Sequence, residues 1–194
     1  MNTLEYIKEL VHKDYLTKDE IRIVLNYLIT TTRDSLNIDK YDNVKCVESS
    51  IFLDRLCEII DIPYIKFSNN ELGINELEHH YGILGLNTEI DQVCFLLDAT
   101  YMQFDKKTYT MSNKLIVSPG EFIDENLKQQ LINNGFFTLT PENIYEYLNS
   151  FVQSYSSLYK IDKDLVFNKF YELLKEFNIN VIDHDYLSNN LKQR

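Results

Sequence analysis

Glycine and proline are scarce in this chain, five and three among 194 residues. So small a share excludes collagen-like repeats and low-complexity linkers. Cysteine is scarce too: Cys46, Cys57 and Cys94 make an odd count, which does not fit a secreted disulfide framework. No Cys-x-x-Cys pair occurs, so neither a zinc ribbon nor a thioredoxin-type motif is expected. No apolar run approaches the roughly 18 residues of a membrane span. The start, Met1-Asn2-Thr3-Leu4-Glu5, is not basic and leads into no continuous apolar stretch, so no secretory signal is expected. A cytoplasmic, reduced location is the expectation. Positive charge is short as well. Nineteen Lys and Arg stand against 30 Asp and Glu, a net charge of −11. Such a chain repels phosphate backbones and anionic lipid surfaces, so neither nucleic acid nor membrane is expected as a partner. The five glycines form neither a GxxxxGK nor a GxGxxG loop for phosphates, and nothing calls for a cofactor.

Hydrophobic residues, in contrast, make up 44% of the chain, with 14 Tyr and 11 Phe. That excludes global disorder and is enough for one domain with a full core, here residues 1–194. Residues 1–36 read as two helices. Leu4, Ile7, Leu10 and Val11 recur at helical spacing. Thr17-Lys18-Asp19-Glu20 matches a capping box, and Ile21, Val24, Leu25, Leu28 and Ile29 form the stripe of the helix it opens. A polar loop, Asn37 to Asn43, follows. Residues 46–60 read as a third helix with a broad apolar face, stopped by Pro63, and Tyr64-Ile65-Lys66-Phe67 reads as a strand. Two further strands, about 79–86 and about 92–98, form an antiparallel hairpin with its turn in Gly85 to Glu89. Beyond Tyr101 the pattern turns helical. Ser118-Pro119 and Thr140-Pro141 look like helix starts, residues 118–194 read as C-terminal helices, and 183–194 as a frayed tail. The fold class is α+β, with the sheet in the middle of the chain.

Three residue types in this order suggest nucleophilic chemistry. A catalytic cysteine needs a stabilised thiolate, a base beside it and a group that orients the base. Cys46 lies where a polar loop becomes a helix, and N–H groups at a helix N-terminus favour an anion. Lys45 adds a neighbouring positive charge. Cys57 has no such setting, and Cys94, in Val93-Cys94-Phe95-Leu96-Leu97, reads as core. His79 and His80 open one hairpin strand and Asp98 closes the next, so one of the histidines and Asp98 are cross-strand neighbours. Adjacent histidines on a strand point to opposite faces, so only one can serve. Taken singly, a cysteine is most often packing, a strand-start histidine a solvated polar residue and a strand-end aspartate a turn residue. The constellation carries the argument.

The constellation resembles the papain-like and transglutaminase-like superfamily of cysteine enzymes. Three matches carry this: Cys46 opening a helix that ends in Asp61-Ile62-Pro63-Tyr64-Ile65, similar to a "Leu-Gly-Ile-Pro" passage; His79-His80-Tyr81 leading an apolar strand; and Leu97-Asp98-Ala99-Thr100-Tyr101-Met102-Gln103-Phe104, similar to the "Asp-Pro-Thr-Tyr-x-Gln-Phe" box of bacterial effector-type members, with Ala99 in place of Pro. The resemblance covers residues 43–104. It implies a central helix packed on a small antiparallel sheet, flanked by N- and C-terminal helices, and a Cys46–His–Asp98 triad. Spacing to Asp98 favours His80 as the base, whereas the aromatic Tyr81 favours His79; His80 is taken, with His79 as the alternative. Asn43 and the Cys46 N–H are candidate oxyanion donors, and Gln103 a supporting residue.

The implied activity is thiol-dependent acyl transfer, foremost as a cysteine peptidase or protein or peptide amide hydrolase. An acyltransferase, transglutaminase or deamidase would use the same triad. The expected partner is a peptide or small acyl substrate, favoured electrostatically if basic. Two rivals stand beside this. His79, His80, Cys94 and Asp98 offer metal ligands, but neither an HExxH nor a paired-cysteine spacing accompanies them, so no metal is expected. A noncatalytic interaction module would leave Cys46 an ordinary thiol.

Overall fold

The structure, a computed structural model, describes residues 2–38, 45–68, 70–71, 79–102, 109–111, 114–116 and 125–140, together with 142, 143, 146, 165, 168, 169, 172 and 175. It is α+β. Helix α1 spans Thr3–Val11 and α2 spans Lys18–Leu36. The capping box at the start of α2 is present: Glu20 N–H donates to Thr17 Oγ1 at 3.3 Å, and Thr17 N–H donates to Glu20 Oε2 at 2.9 Å. Two backbone donors left over by the helix are thereby satisfied. The predicted stripe of α2, from Ile21 to Ile29, is buried, together with Thr32.

Helix α3 spans Cys46–Ile60. It ends on Asp61 in the left-handed conformation, φ 61°, and Ile62 N–H donates to the Cys57 carbonyl at 3.0 Å. An aspartate tolerates that conformation better than most side chains, and Pro63 prevents the helix from resuming. Leu53, Leu56, Cys57 and Ile60 of α3 join Val24, Leu25 and Leu28 of α2 and Ile7 and Leu10 of α1 in one core. Each such aliphatic contributes roughly 1.5–3 kcal/mol by burial.

Strands β1 (Tyr64–Ser68), β2 (His80–Asn87), β3 (Gln92–Leu97) and β6 (Phe136–Thr138) form one antiparallel sheet in the order β1-β2-β3-β6. Strands β4 (Tyr109–Met111) and β5 (Lys114–Ile116) pair separately, and α4 spans Glu125–Asn134. Leu84, Leu86, Phe95 and Leu97 belong to the same core as the helices. Ile83, Leu96 and Phe137 stand opposite one another across β2, β3 and β6 and are buried as well. Both faces of the central strands are therefore covered, which explains their nearly continuous apolar run.

Two expectations shift. The hairpin turn is not at Gly85–Glu89. Strand β2 continues, with Gly85 opposite Cys94 and Asn87 opposite Gln92. The turn is Thr88 to Asp91, where Thr88 N–H donates to the Asp91 carbonyl at 2.8 Å and Asp91 N–H to Thr88 Oγ1 at 3.1 Å. A threonine side chain that closes its own turn outweighs a nearby glycine as a turn signal. Nor is the segment after 118 wholly helical, because β6 follows α4 and forms an edge of the sheet. The switch occurs at Gly135, φ 76°, where glycine leaves the helix at no steric cost. The helix start at Ser118-Pro119, the tail from 183 and Pro141 lie outside the described residues; Thr140 does accept Asn143 N–H at 3.2 Å, as a cap would.

Candidate active site

Cys46 is the first residue of α3, His79 directly precedes β2, and Asp98 directly follows β3. The hairpin register sets Gly82 opposite Leu97, so the residues before β2 and after β3 meet at one end of the sheet. There His79 Nε2 donates to Asp98 Oδ2 at 2.6 Å. The side chains are deeply buried: Cys46 is 1% exposed, His79 5% and Asp98 3%.

The histidine that meets Asp98 is not the one favoured by spacing. His79, the alternative, is the partner of Asp98. His80 is the first residue of β2, half-buried and opposite Ser68. Spacing could not separate the two, because a one-residue offset at the strand entrance exchanges their roles. The neighbouring aromatic was the better signal. The Tyr81 ring lies 5.6 Å from that of His79 and packs edge-on against Phe67 at 4.2 Å, which walls the imidazole.

Burial by itself would push the His79 ring toward its neutral form. The Asp98 carboxylate, by charge and hydrogen bond, outweighs it, and Cys46 adds a hydrogen bond and a charge interaction in the same direction. Together they raise His79 to about 10. At neutral pH the ring is an imidazolium between the Asp98 carboxylate and the sulfur of Cys46. Burial pushes Cys57 well up and Cys94 up to about 12, so neither of these thiols ionises near neutrality.

Asp98 is held from several sides. Its second oxygen, Oδ1, accepts Thr100 N–H at 3.0 Å and Thr100 Oγ1–H at 2.9 Å. Its own N–H donates to the Gly135 carbonyl at 2.7 Å. Arg33, from the last turn of α2, donates through Nε to the Ala99 carbonyl at 2.9 Å. None of these supports was assigned from the sequence. The Asp-x-Thr spacing is a recognisable local turn signal. Arg33 and Gly135 are distant in the chain and left none.

Gly135 permits a further expectation. A Cβ there would come within 2.8 Å of Ile29 and 3.2 Å of Arg33 Nη2, at a positive φ. Gly135→Ala should cost about 2 kcal/mol or more, from backbone strain and overpacking together. The check is its urea midpoint against that of the native chain.

Lys45, the residue before Cys46, is bound to the end of α2. Its Nζ donates to the Leu36 carbonyl at 2.7 Å and to the Asn37 carbonyl at 3.4 Å. The charge sits at the C-terminus of α2, where free carbonyls attract a cation. Lys45 thus ties the start of α3 to the end of α2. As the N-cap of α3, Lys45 makes no side-chain capping bond, and helix geometry leaves the first N–H groups of α3 without intrahelical acceptors. Asn43 and Gln103, the oxyanion and support candidates, lie outside the described residues.

Compared with protein families, with curated proteins and with solved structures, the chain matches none of them. The functional reading therefore rests on the side chains themselves. Among the described residues no group of three or more His, Cys, Asp and Glu is placed to hold a metal ion, and no helix is long and apolar enough to cross a membrane. An apolar groove of about 610 Å³ runs between Leu16, Ile21, Leu25, Val93 and Phe136. Cys46, His79 and Asp98 do not line it.

Proposed function

We propose that this protein is a thiol-dependent acyl-transfer enzyme of the papain-like and transglutaminase-like kind, foremost a cysteine peptidase or peptide amide hydrolase. Cys46 is the nucleophile, His79 the acid and base, and Asp98 the group that orients His79. The observation that carries this reading is the buried His79–Asp98 pair at 2.6 Å with Cys46 acting on the same ring. With Nε2 committed to Asp98, Nδ1 is the ring nitrogen available to a thiol.

The sulfur of Cys46, its proton held on His79, attacks the carbonyl carbon of an amide, and the carbonyl oxygen takes up the electron pair. The N–H groups at the start of α3 that helix geometry leaves without intrahelical acceptors, that of Cys46 included, suit that oxyanion. The C–N bond then breaks, and His79 gives its proton to the departing amine. Water attacks the thioester with His79 as base, the C–S bond breaks, and a carboxylate leaves while the Cys46–His79 pair is restored. An amine in place of water would make the same thioester a transferase intermediate. The net charge of −11 favours neutral or basic peptides.

The test is turnover of a mixed peptide library, read by mass spectrometry. Cys46→Ala and His79→Ala are expected to lose all turnover, whereas Cys57→Ala and Cys94→Ala lose stability and keep turnover within about threefold, since their buried thiols take no part in the chemistry. A fully active Cys46→Ala protein would end the proposal.

A further inference from the structure

Arg33 is partly buried and its Nε donates to the Ala99 carbonyl at 2.9 Å. Its Nη2 is buried without a hydrogen-bond partner among the described residues. The same Nη2 lies 3.2 Å from where a Cβ on Gly135 would be. Gly135 in turn accepts the Asp98 N–H. Burial disfavours the charged guanidinium and the negative charge of Asp98 favours it. A guanidinium taken partly out of water with one orphaned nitrogen is costly for a surface helix. An aliphatic side chain would pack there without that cost. What the arginine supplies instead is a link from α2 to the turn that carries Asp98, and a positive charge near that carboxylate.

We propose that Arg33 is a positioning residue for the candidate site: it clamps the Asp98–Thr100 turn through the Ala99 carbonyl and so orients Asp98 against His79. Asp98 then has three anchors from separate parts of the chain, namely Thr100 on its carboxylate, Gly135 on its N–H and Arg33 on the next peptide. A carboxylate that must hold an imidazole needs its own geometry fixed to a few tenths of an ångström, and supports of this kind provide it. The inference rests on the reading of Cys46, His79 and Asp98 given above.

Two variants of the full chain test it, Arg33→Met, which removes donor and charge, and Arg33→Gln, which keeps a donor. The first readout is the ring-nitrogen NMR titration of His79, which a merely stabilising residue would not move. The second is the rate of Cys46 alkylation by iodoacetamide at pH 7. The expected result is a His79 titration at least one pH unit lower in Arg33→Met, with Cys46 alkylation slowed at least fivefold, and a smaller change in Arg33→Gln. Both readouts unchanged in a folded Arg33→Met protein overturn the proposal. Should Arg33→Met fail to fold, Arg33→Gln decides alone: a lowered His79 titration supports the clamp, and an unmoved one overturns it. Failure of the underlying reading is separate. It appears as native Cys46 alkylated no faster than in His79→Ala, and the His79 titration still reports whether Arg33 orients Asp98.

Discussion

In an Asp98→Asn variant, alkylation of Cys46 by iodoacetamide at pH 7 is expected to fall about tenfold, while His80→Ala leaves it within twofold. Asparagine has the shape of aspartate and lacks its charge, so it cannot hold a buried imidazolium at Nε2. Without that imidazolium the thiol loses its counter-charge. An unassisted thiol is only a few per cent ionised at pH 7, and the more basic thiolate recovers part of the loss by its greater nucleophilicity. A factor near ten remains. Cys46 is almost fully buried, so opening of the site slows labelling in every variant. Labelling of the buried Cys57 in each protein reports that opening, and the Cys46 rate relative to it reads the charge. Cys57 and Cys94, raised by burial, label far more slowly than Cys46 in the native protein. Site-resolved mass spectrometry measures all three thiols at once. Equal Cys46 rates in the native and Asp98→Asn proteins would remove the ion pair from the mechanism.

The second large effect is on stability. His79 is raised from 6.5 to about 10 in the folded state, so above pH 6.5 the folded protein binds a proton that the unfolded chain releases. Stability from this group is fully present below about pH 6.5 and is lost as pH rises toward 10. The contribution is on the order of a few kcal/mol, because a tenfold gain in proton affinity on folding corresponds to about 1.4 kcal/mol and the pair is buried. Urea unfolding of the native protein should give a midpoint that declines from pH 6.5 to 9.5. Asp98→Asn should lack most of that decline, and the difference between the two curves removes the contribution of every other titrating group. Asp98→Ala should cost about 3 kcal/mol at pH 7, since it strands His79 together with the Thr100 N–H and hydroxyl. Parallel midpoint curves for the native and Asp98→Asn proteins would show that the pair carries no linked proton.

How much of this was legible beforehand depends on sequence range. Thr17 and Glu20 are three residues apart, and their capping box needs nothing beyond α2, so the pattern announced it. The same holds for α3, whose apolar face and Pro63 stop are local. The pairing of one histidine with Asp98 also followed from local features, because a hairpin brings the start of one strand to the end of the next. Which histidine it is depended on the register. That in turn depended on where the turn lies, and Thr88 and Asp91 placed it three residues beyond Gly85.

By itself, then, the sequence determined the helices α1 to α3, the hairpin, and the order of thiol, imidazole and carboxylate along the chain, because helical periodicity, capping and strand alternation act within a few residues. Tertiary structure alone decided the rest. It paired His79 rather than His80 with Asp98, set the Lys45 ammonium on the carbonyls of α2, inserted β6 at the sheet edge, and brought Arg33 and Gly135 to the turn of Asp98. Each of these joins residues whose contact depends on how whole elements pack. A buried carboxylate binds whichever donors the fold delivers, and a single chain's spacing does not encode which those are.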